Sequence, residues 1–217
     1  VLRWFYAALI AAWCALLGIM WGSPAGSTAP LPTDRREPVA EKHYVTARQL
    51  AASGAWRGRP IAAFSTRVHD GTRLESTDLT GKRPAVLVFI KKGCPCSAEF
   101  EPFFHRLERR YRGLVRFFGV IDGNRDVARR YAKANKVPYP VVADPGLSVV
   151  RRFKAENGGY VVLLTRAGVV DTLWPGLSAE MMRQLGRRVA ALARVGERPL
   201  DLRGLPAVLT TGCPYEP

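Results

Sequence analysis

Six consecutive apolar residues, Ala85-Val86-Leu87-Val88-Phe89-Ile90, run without interruption into Lys91-Lys92-Gly93-Cys94-Pro95-Cys96-Ser97. A strand with one wet face alternates apolar and polar side chains. A strand that is apolar at every position belongs inside a sheet covered on both faces. Immediately downstream, Phe100, Phe103, Phe104, Leu107 and Tyr111 recur at helical spacing, which predicts an amphipathic helix over Ser97 to Arg112 packed on that sheet. The two neighbouring cysteines thus fall at the junction between a buried strand and a helix.

The same α/β alternation extends along the chain. Ile61 to Ser65 reads as a short strand, and Asp70-Gly71 as a hairpin turn leading to Arg73-Leu74. Leu114 to Ile121 is a strand, Asp126 to Asn135 a helix, and Val141 to Ala143 a short strand. Tyr160 to Leu164 and Val169 to Leu173 form a hairpin through Thr165-Arg166-Ala167-Gly168. A last helix starts near Ser178, a good cap, with Leu177, Met181, Leu185, Val189 and Leu192 on one stripe. The order β-α-β-α-β-β-α, after a short hairpin, predicts an α/β fold: a central mixed sheet with helices on both faces. A further short helix is expected between Tyr44 and Trp56.

Trp4 to Trp21 carries no charge and is flanked by aromatics, the pattern of a transmembrane anchor or signal peptide over residues 1–22. The run exceeds the usual hydrophobic stretch of a cleaved signal, which favours an anchor, although Ser23-Pro24-Ala25 offers a cleavage site. Cys14 lies inside the run as an apolar filler, with Trp13 where a lipoprotein signal would place a small residue. Residues 23–57 read as a linker because Ser23 to Pro38 is rich in Pro, Gly, Ser and Thr. The folded domain is expected over 58–195 and a C-terminal tail over 196–217. A domain following such a segment is expected to face the periplasm or cell exterior, or to be secreted if the segment is cleaved.

The chain has 33 basic and 18 acidic residues, a net charge of +15. Its arginines are scattered rather than gathered with aromatics into one patch, so they describe a solvated basic surface and not a nucleic-acid site. Four cysteines, at 14, 94, 96 and 213, are too few for a disulfide scaffold. Among them, only Cys94 and Cys96 look like a site by spacing.

Pro95 disfavours helical backbone at the residue before it and is itself suited to the first helical position. Cys94 therefore falls at the N-cap, where free amides and the helix dipole favour a thiolate. Lowering a thiol pKa from about 8.5 to about 6.5 takes roughly 2.7 kcal/mol of preference for the anion. A helix N-terminus supplies on the order of 0.3 to 2 kcal/mol, so a cation is needed, and Lys91 and Lys92 are the candidates. Cys94 is the expected nucleophile, with Cys96 as the near resolving partner. Closing a Cys-x-Cys disulfide requires the backbone to bend, giving a bond easily reduced. Two inert buried thiols, or a Cu(I) site, are the alternative readings of the pair. His43, His69 and His105 have no ligand spacing to it, and no cofactor is expected.

From Gly58 to about Ala193 the chain resembles the thioredoxin-like superfamily, and within it the redoxin or alkyl hydroperoxide reductase/thiol-specific antioxidant branch. The resemblance rests on Arg59-Pro60-Ile61-Ala62-Ala63-Phe64, Asp70-Gly71, Leu79-Thr80-Gly81-Lys82, the strand leading to Cys94-Pro95, Pro102, and Tyr139-Pro140-Val141-Val142-Ala143-Asp144. It implies a thioredoxin-like fold with Cys94 as the redox-active cysteine. Three departures stand out. Ser97 occupies the second cysteine position of a thioredoxin, Lys91 stands where a peroxiredoxin has Thr or Ser, and Gly159 aligns with the family's cis-proline. Cys213, in Thr211-Gly212-Cys213-Pro214, matches the C-terminal resolving cysteine of some peroxiredoxins, or is an inert thiol on a mobile tail. The expected activity is thiol-disulfide exchange on protein or small-molecule thiols and disulfides, with a thiol peroxidase acting on peroxide as the alternative.

Overall fold

The computed structural model describes residues 43–79 and 81–215. The apolar run from Trp4 to Trp21 and the Pro/Gly-rich stretch after it lie outside the described residues. No helix among the described residues is long and apolar enough to cross a membrane.

The elements in chain order are β1 (His43–Tyr44), α1 (Ala47–Gly54), β2 (Ser65–Val68), β3 (Arg73–Glu75), a 3-10 turn at Ser76–Leu79, β4 (Ala85–Ile90) and α2 (Pro95–Tyr111). They continue with β5 (Arg116–Ile121), α3 (Arg125–Ala134), β6 (Val141–Ala143), α4 (Ser148–Arg152), β7 (Val161–Leu164), β8 (Val170–Trp174), α5 (Ala179–Ala193) and β9 (Thr210–Thr211). Seven strands form one mixed sheet in the order β3-β2-β6-β5-β4-β7-β8. Strand β4 sits inside it, parallel to β5 and antiparallel to β7.

All of β4 is buried, as its composition requires. Val86, Val88 and Ile90 join Phe100, Phe104 and Leu107 of α2 and Met182, Leu185 and Val189 of α5 in one core. Ala85, Leu87 and Phe89 point the other way, into a second core with Val149, Val150 and Phe153. The sheet is therefore covered on both faces, and this is the thioredoxin-like fold.

Local chemistry explains the helix starts. Ser178 Oγ accepts from Met181 N–H at the head of α5, and Asn124 Oδ1 accepts from Val127 N–H at the head of α3. Thr46 and Gln49 form a reciprocal capping box that begins α1 inside the stretch expected to be linker.

The expected strand at Ile61 to Ser65 is displaced. Strand pairing begins at Ser65, with β2 antiparallel to both β3 and β6. Residues 61–64 instead run beside the start of β8, where Ile61 N–H donates to Gly168 O at 2.9 Å and Phe64 is buried in the second core. Phe64 and the partly buried Ile61 pack the core and Ala62 and Ala63 face outward, while Ser65-Thr66-Arg67-Val68 makes the ladder. Helix α4 is a five-residue element started by Asp144, whose carboxylate accepts from Ser148 Oγ and from the amides of Val149 and Val150.

Candidate active site

Strand β4 ends at Ile90, and the chain turns through Gly93, whose φ of +72° suits a residue without a side chain. Lys91 N–H donates to Ser97 Oγ at 3.2 Å, and Cys94 N–H to Lys91 O at 3.2 Å, which folds the turn against the first residues of α2. Cys94 is the N-cap, with extended backbone (φ −82°, ψ 119°), and the exposed Pro95 is the first helical residue. Cys96 and Ser97 follow, both buried.

The Cys94 thiol makes no side-chain capping bond to the helix. Its sulfur instead accepts the backbone N–H of Cys213 at 3.2 Å, across 119 residues of sequence. Cys94, Cys96 and Cys213 are all free thiols.

Burial alone would push Cys94 up. The Cys213 thiol and amide, together with the amides of Ser97 and Cys96, outweigh it and hold Cys94 below the usual thiol value. The other two thiols move the opposite way. Burial and the negative charge on Cys94 push Cys96 up to about 11. Burial, the hydrogen bond to Cys94 and its charge push Cys213 up to about 12. The surroundings thus favour the anion at Cys94 more than at an ordinary cysteine, and favour the protonated thiol at Cys96 and Cys213.

The tail that delivers Cys213 is laid down along the domain rather than left loose. Strand β9 pairs antiparallel with β1. Thr210 and Leu177 exchange backbone hydrogen bonds of 3.0 and 2.7 Å. Gly212 N–H donates to Gly158 O at 2.6 Å, Gly158 N–H to Cys213 O at 3.0 Å, and Tyr215 N–H to Glu156 O at 2.9 Å. The buried Asn157 adds Nδ2 to Gly212 O at 2.9 Å. Gly159, aligned with a cis-proline, has φ +85°, and there is no cis peptide bond among the described residues.

Lys91 and Lys92 both contact Asp122. Lys91 is buried with its Nζ 2.9 Å from Asp122 Oδ2, so its charge is matched by a carboxylate. Lys92 is exposed, and its backbone N–H donates to Asp122 Oδ1. Hydrogen bonds, rather than either ammonium, are the leading influences that favour the Cys94 thiolate.

Asp122 and Asn157 are the polar residues sequence reasoning passed over. Asp122 follows the last residue of β5, a place where buried carboxylates attract notice, but its partner is 31 residues away. A third group lies under α2: the buried Glu101 accepts from Tyr139 Oη at 2.7 Å and Tyr131 Oη at 3.1 Å. Tyr131 Oη is also 3.0 Å from Ser97 O. His105 packs edge-on to Tyr139 with Nε2 3.3 Å from Glu101 Oε2.

A groove of about 290 Å³ opens beside Cys96, walled by Phe100, Phe103, Leu205 and Pro206. Among the described residues, no group of three or more His, Cys, Asp or Glu side chains is placed to hold a metal ion.

Solved structures share this architecture. MTB DsbF, determined in mixed oxidised and reduced forms, is 26% identical over 59% of this chain and 94% of its own, with a TM-score of 0.53. A secreted Mycobacterium tuberculosis disulfide oxidoreductase homologous to E. coli DsbE is 21% identical over 59% and 95%, TM-score 0.51. The Xanthomonas campestris bacterioferritin comigratory protein, described by its alkyl peroxide reduction activity, is 18% identical over 60% and 92%, TM-score 0.52. No curated protein sequence matches the chain. The AhpC/TSA family model matches residues 57–172, more than half of the chain, which therefore belongs to the AhpC/TSA family of thiol-disulfide oxidoreductases and thiol peroxidases.

Proposed function

We propose that the chain is an extracytoplasmic thiol-disulfide oxidoreductase in which Cys94 is the nucleophile and Cys213 the resolving cysteine. The Cys94 thiolate attacks one sulfur of a substrate disulfide, and the other sulfur leaves as a thiolate that takes up a proton. Cys213 then loses its proton and attacks the Cys94 sulfur of the mixed disulfide, releasing the second substrate thiol. The substrate gains two electrons, the protein keeps a Cys94–Cys213 disulfide, and an external thiol reductant restores it.

The observation that carries this reading is the 3.2 Å bond from Cys213 N–H to Cys94 Sγ, which holds the two cysteines side by side while lowering the pKa of the first. Cys96 sits inside the first turn of α2, where closing a ring to Cys94 would require the helix start to unwind. An extracytoplasmic location is supported by the uncharged run from Trp4 to Trp21 and by the likeness to a secreted disulfide oxidoreductase.

A peroxidase is the second reading, favoured by the AhpC/TSA match. Peroxide would oxidise Cys94 to a sulfenic acid, which Cys213 captures with loss of water. Polarising the O–O bond calls for a hydroxyl and a cation at the nucleophile. Here the residue three before Cys94 is Lys91, a donor without acceptor capacity whose ammonium pairs with Asp122. Disulfide exchange asks for less. The test compares turnover of a small aromatic disulfide with that of hydrogen peroxide under one reductant. The disulfide is expected to be the faster substrate, with Cys94→Ser abolishing both. Dominant peroxide turnover with sulfenic acid trapped at Cys94 would promote the peroxidase.

A further inference from the structure

The C-terminal segment approaches Cys94 as a peptide would approach a sheet edge. Its contacts from Thr210 to Tyr215 are mostly backbone to backbone: Thr210 with Leu177, Gly212 and Cys213 with Gly158, and Tyr215 with Glu156. Asn157 pairs antiparallel with Pro214 in the same track. Backbone bonding of this kind recognises an extended strand and leaves side-chain pockets to supply selectivity.

Glycines make the close approach feasible. A Cβ on Gly176 would stand 2.4 Å from Thr210 O, and one on Gly158 would stand 3.0 Å from Lys91. Gly159 has positive φ, and a Cβ on it would be 3.3 Å from Gly212 N. On the tail itself, a Cβ at Gly212 would stand 2.8 Å from Gly158 O and 3.0 Å from Gly158 C. Backbone cannot yield as a flexible side chain can. The residue before the cysteine therefore has to be glycine.

The geometry points to the Glu156–Gly158 edge as a peptide site that the protein fills with its own C-terminal strand, selective for an extended segment in which glycine immediately precedes the cysteine delivered to Cys94. The inference rests on Cys94 being the reactive thiol, because that is the group the register serves. The client it fits is a protein with an exposed, extended Gly-Cys segment, which must displace Thr210–Tyr215 to enter. A tail joined in cis competes at an effective concentration of about millimolar, so the site is closed to weak or wrongly spaced clients.

The test uses the full chain and a peptide without a thiol, so that its outcome is independent of Cys94 chemistry. The probe is fluorescein-labelled Leu-Thr-Thr-Gly-Ser-Pro-Tyr, the tail sequence with serine for cysteine, beside a version with alanine for glycine. Gly212→Ala displaces the tail by the clash described, and Thr210→Pro does so separately by removing the N–H that bonds Leu177 O. Both variants are expected to bind the glycine peptide at least about tenfold more tightly than wild type, a difference of about 1.4 kcal/mol. The alanine peptide should gain nothing, and bound glycine peptide should slow hydrogen exchange at the Gly158 amide. Equal binding of the two peptides, no gain in either variant, or no protection at Gly158 overturns the proposal. Loss of reactivity at Cys94 with peptide binding intact would count against the proposed function alone.

Discussion

Gln49 Nε2 donates to Asn157 Oδ1 at 3.0 Å, and through that bond the first helix is tied to the segment that carries Cys213. Gln49 Oε1 accepts the Thr46 N–H in the capping box of α1, so the side chain is fixed at both ends. Asn157 passes the restraint on, its Nδ2 bonding Gly212 O. The chain of contacts runs from α1 through Asn157 and Gly212 to Cys213, whose amide ends on the Cys94 sulfur.

Asn157→Ala should therefore act on the thiols as well as on stability. It leaves the buried Gln49 amide and the Gly212 carbonyl without their partner, at a cost of about 1–3 kcal/mol per unsatisfied group. We expect a lower denaturation midpoint, faster alkylation of Cys213 and a higher pKa for Cys94. Denaturant titration and alkylation rates against pH check all three. An unchanged Cys94 pKa would break the link between Asn157 and the site.

The thiols give the fold a pH signature. A thiol whose pKa is raised in the folded state binds its proton longer there than in the unfolded chain, so stability falls as pH rises from the unfolded value. Cys96, at about 11, and Cys213, at about 12, both have this sign from about pH 9 upward. Cys94, lowered, has the opposite sign: its contribution is lost as pH falls through its folded pKa. We expect stability to decline above about pH 9 and the double variant Cys96→Ser, Cys213→Ser to flatten the decline. Chemical denaturation over that range measures it.

Where the charges at Lys91 and Lys92 go was hidden from sequence for a physical reason. Adjacency to Cys94 along the chain says nothing about direction, and Asp122 reaches Lys91 only because β4 and β5 pair in parallel, Ile90 opposite Ile121. Local rules did better where the determinants were local. Pro95 placed the N-cap at Cys94, Ser178 began α5, and the wholly apolar Ala85–Ile90 became a central strand. The tail contact had no such signal. Strand β9 is two residues long, and the partners of the tail, β1, Gly158 and Leu177, lie far upstream. The displaced strand near Ile61 shows the converse, apolar residues packing a core without joining its ladder.

The Lys91–Asp122 pair yields a sharp contrast. Asp122→Ala removes the carboxylate that pairs with a buried ammonium and should destabilise the fold by up to about 3–5 kcal/mol, whereas the double change Lys91→Met, Asp122→Leu should recover most of that loss. Because the pair is neutral as a unit, the double variant should keep the low Cys94 pKa. Measured pH profiles of alkylation would show a marked rise if Lys91 were the source of the thiolate's stability.

The identity of the resolving cysteine decides how the protein turns over. After stoichiometric oxidation, mass mapping should find Cys94 joined to Cys213, because the tail already holds Cys213 N–H on the Cys94 sulfur and no helical turn has to open. Cys96→Ser should then turn over near the wild-type rate, since Cys96 faces the groove lined by Phe100 and Phe103 and serves no required step. Cys213→Ser should stall after one exchange, with the mixed disulfide at Cys94 accumulating, because the near partner in α2 must unwind the helix start to reach it. Cys213→Ala should in addition raise the Cys94 pKa, having lost the thiol donor that Cys213→Ser replaces with a hydroxyl. A Cys94–Cys96 bond in the oxidised wild type, with turnover surviving in Cys213→Ser, would move the resolving role to α2 and leave the tail as a purely steric occupant of the edge.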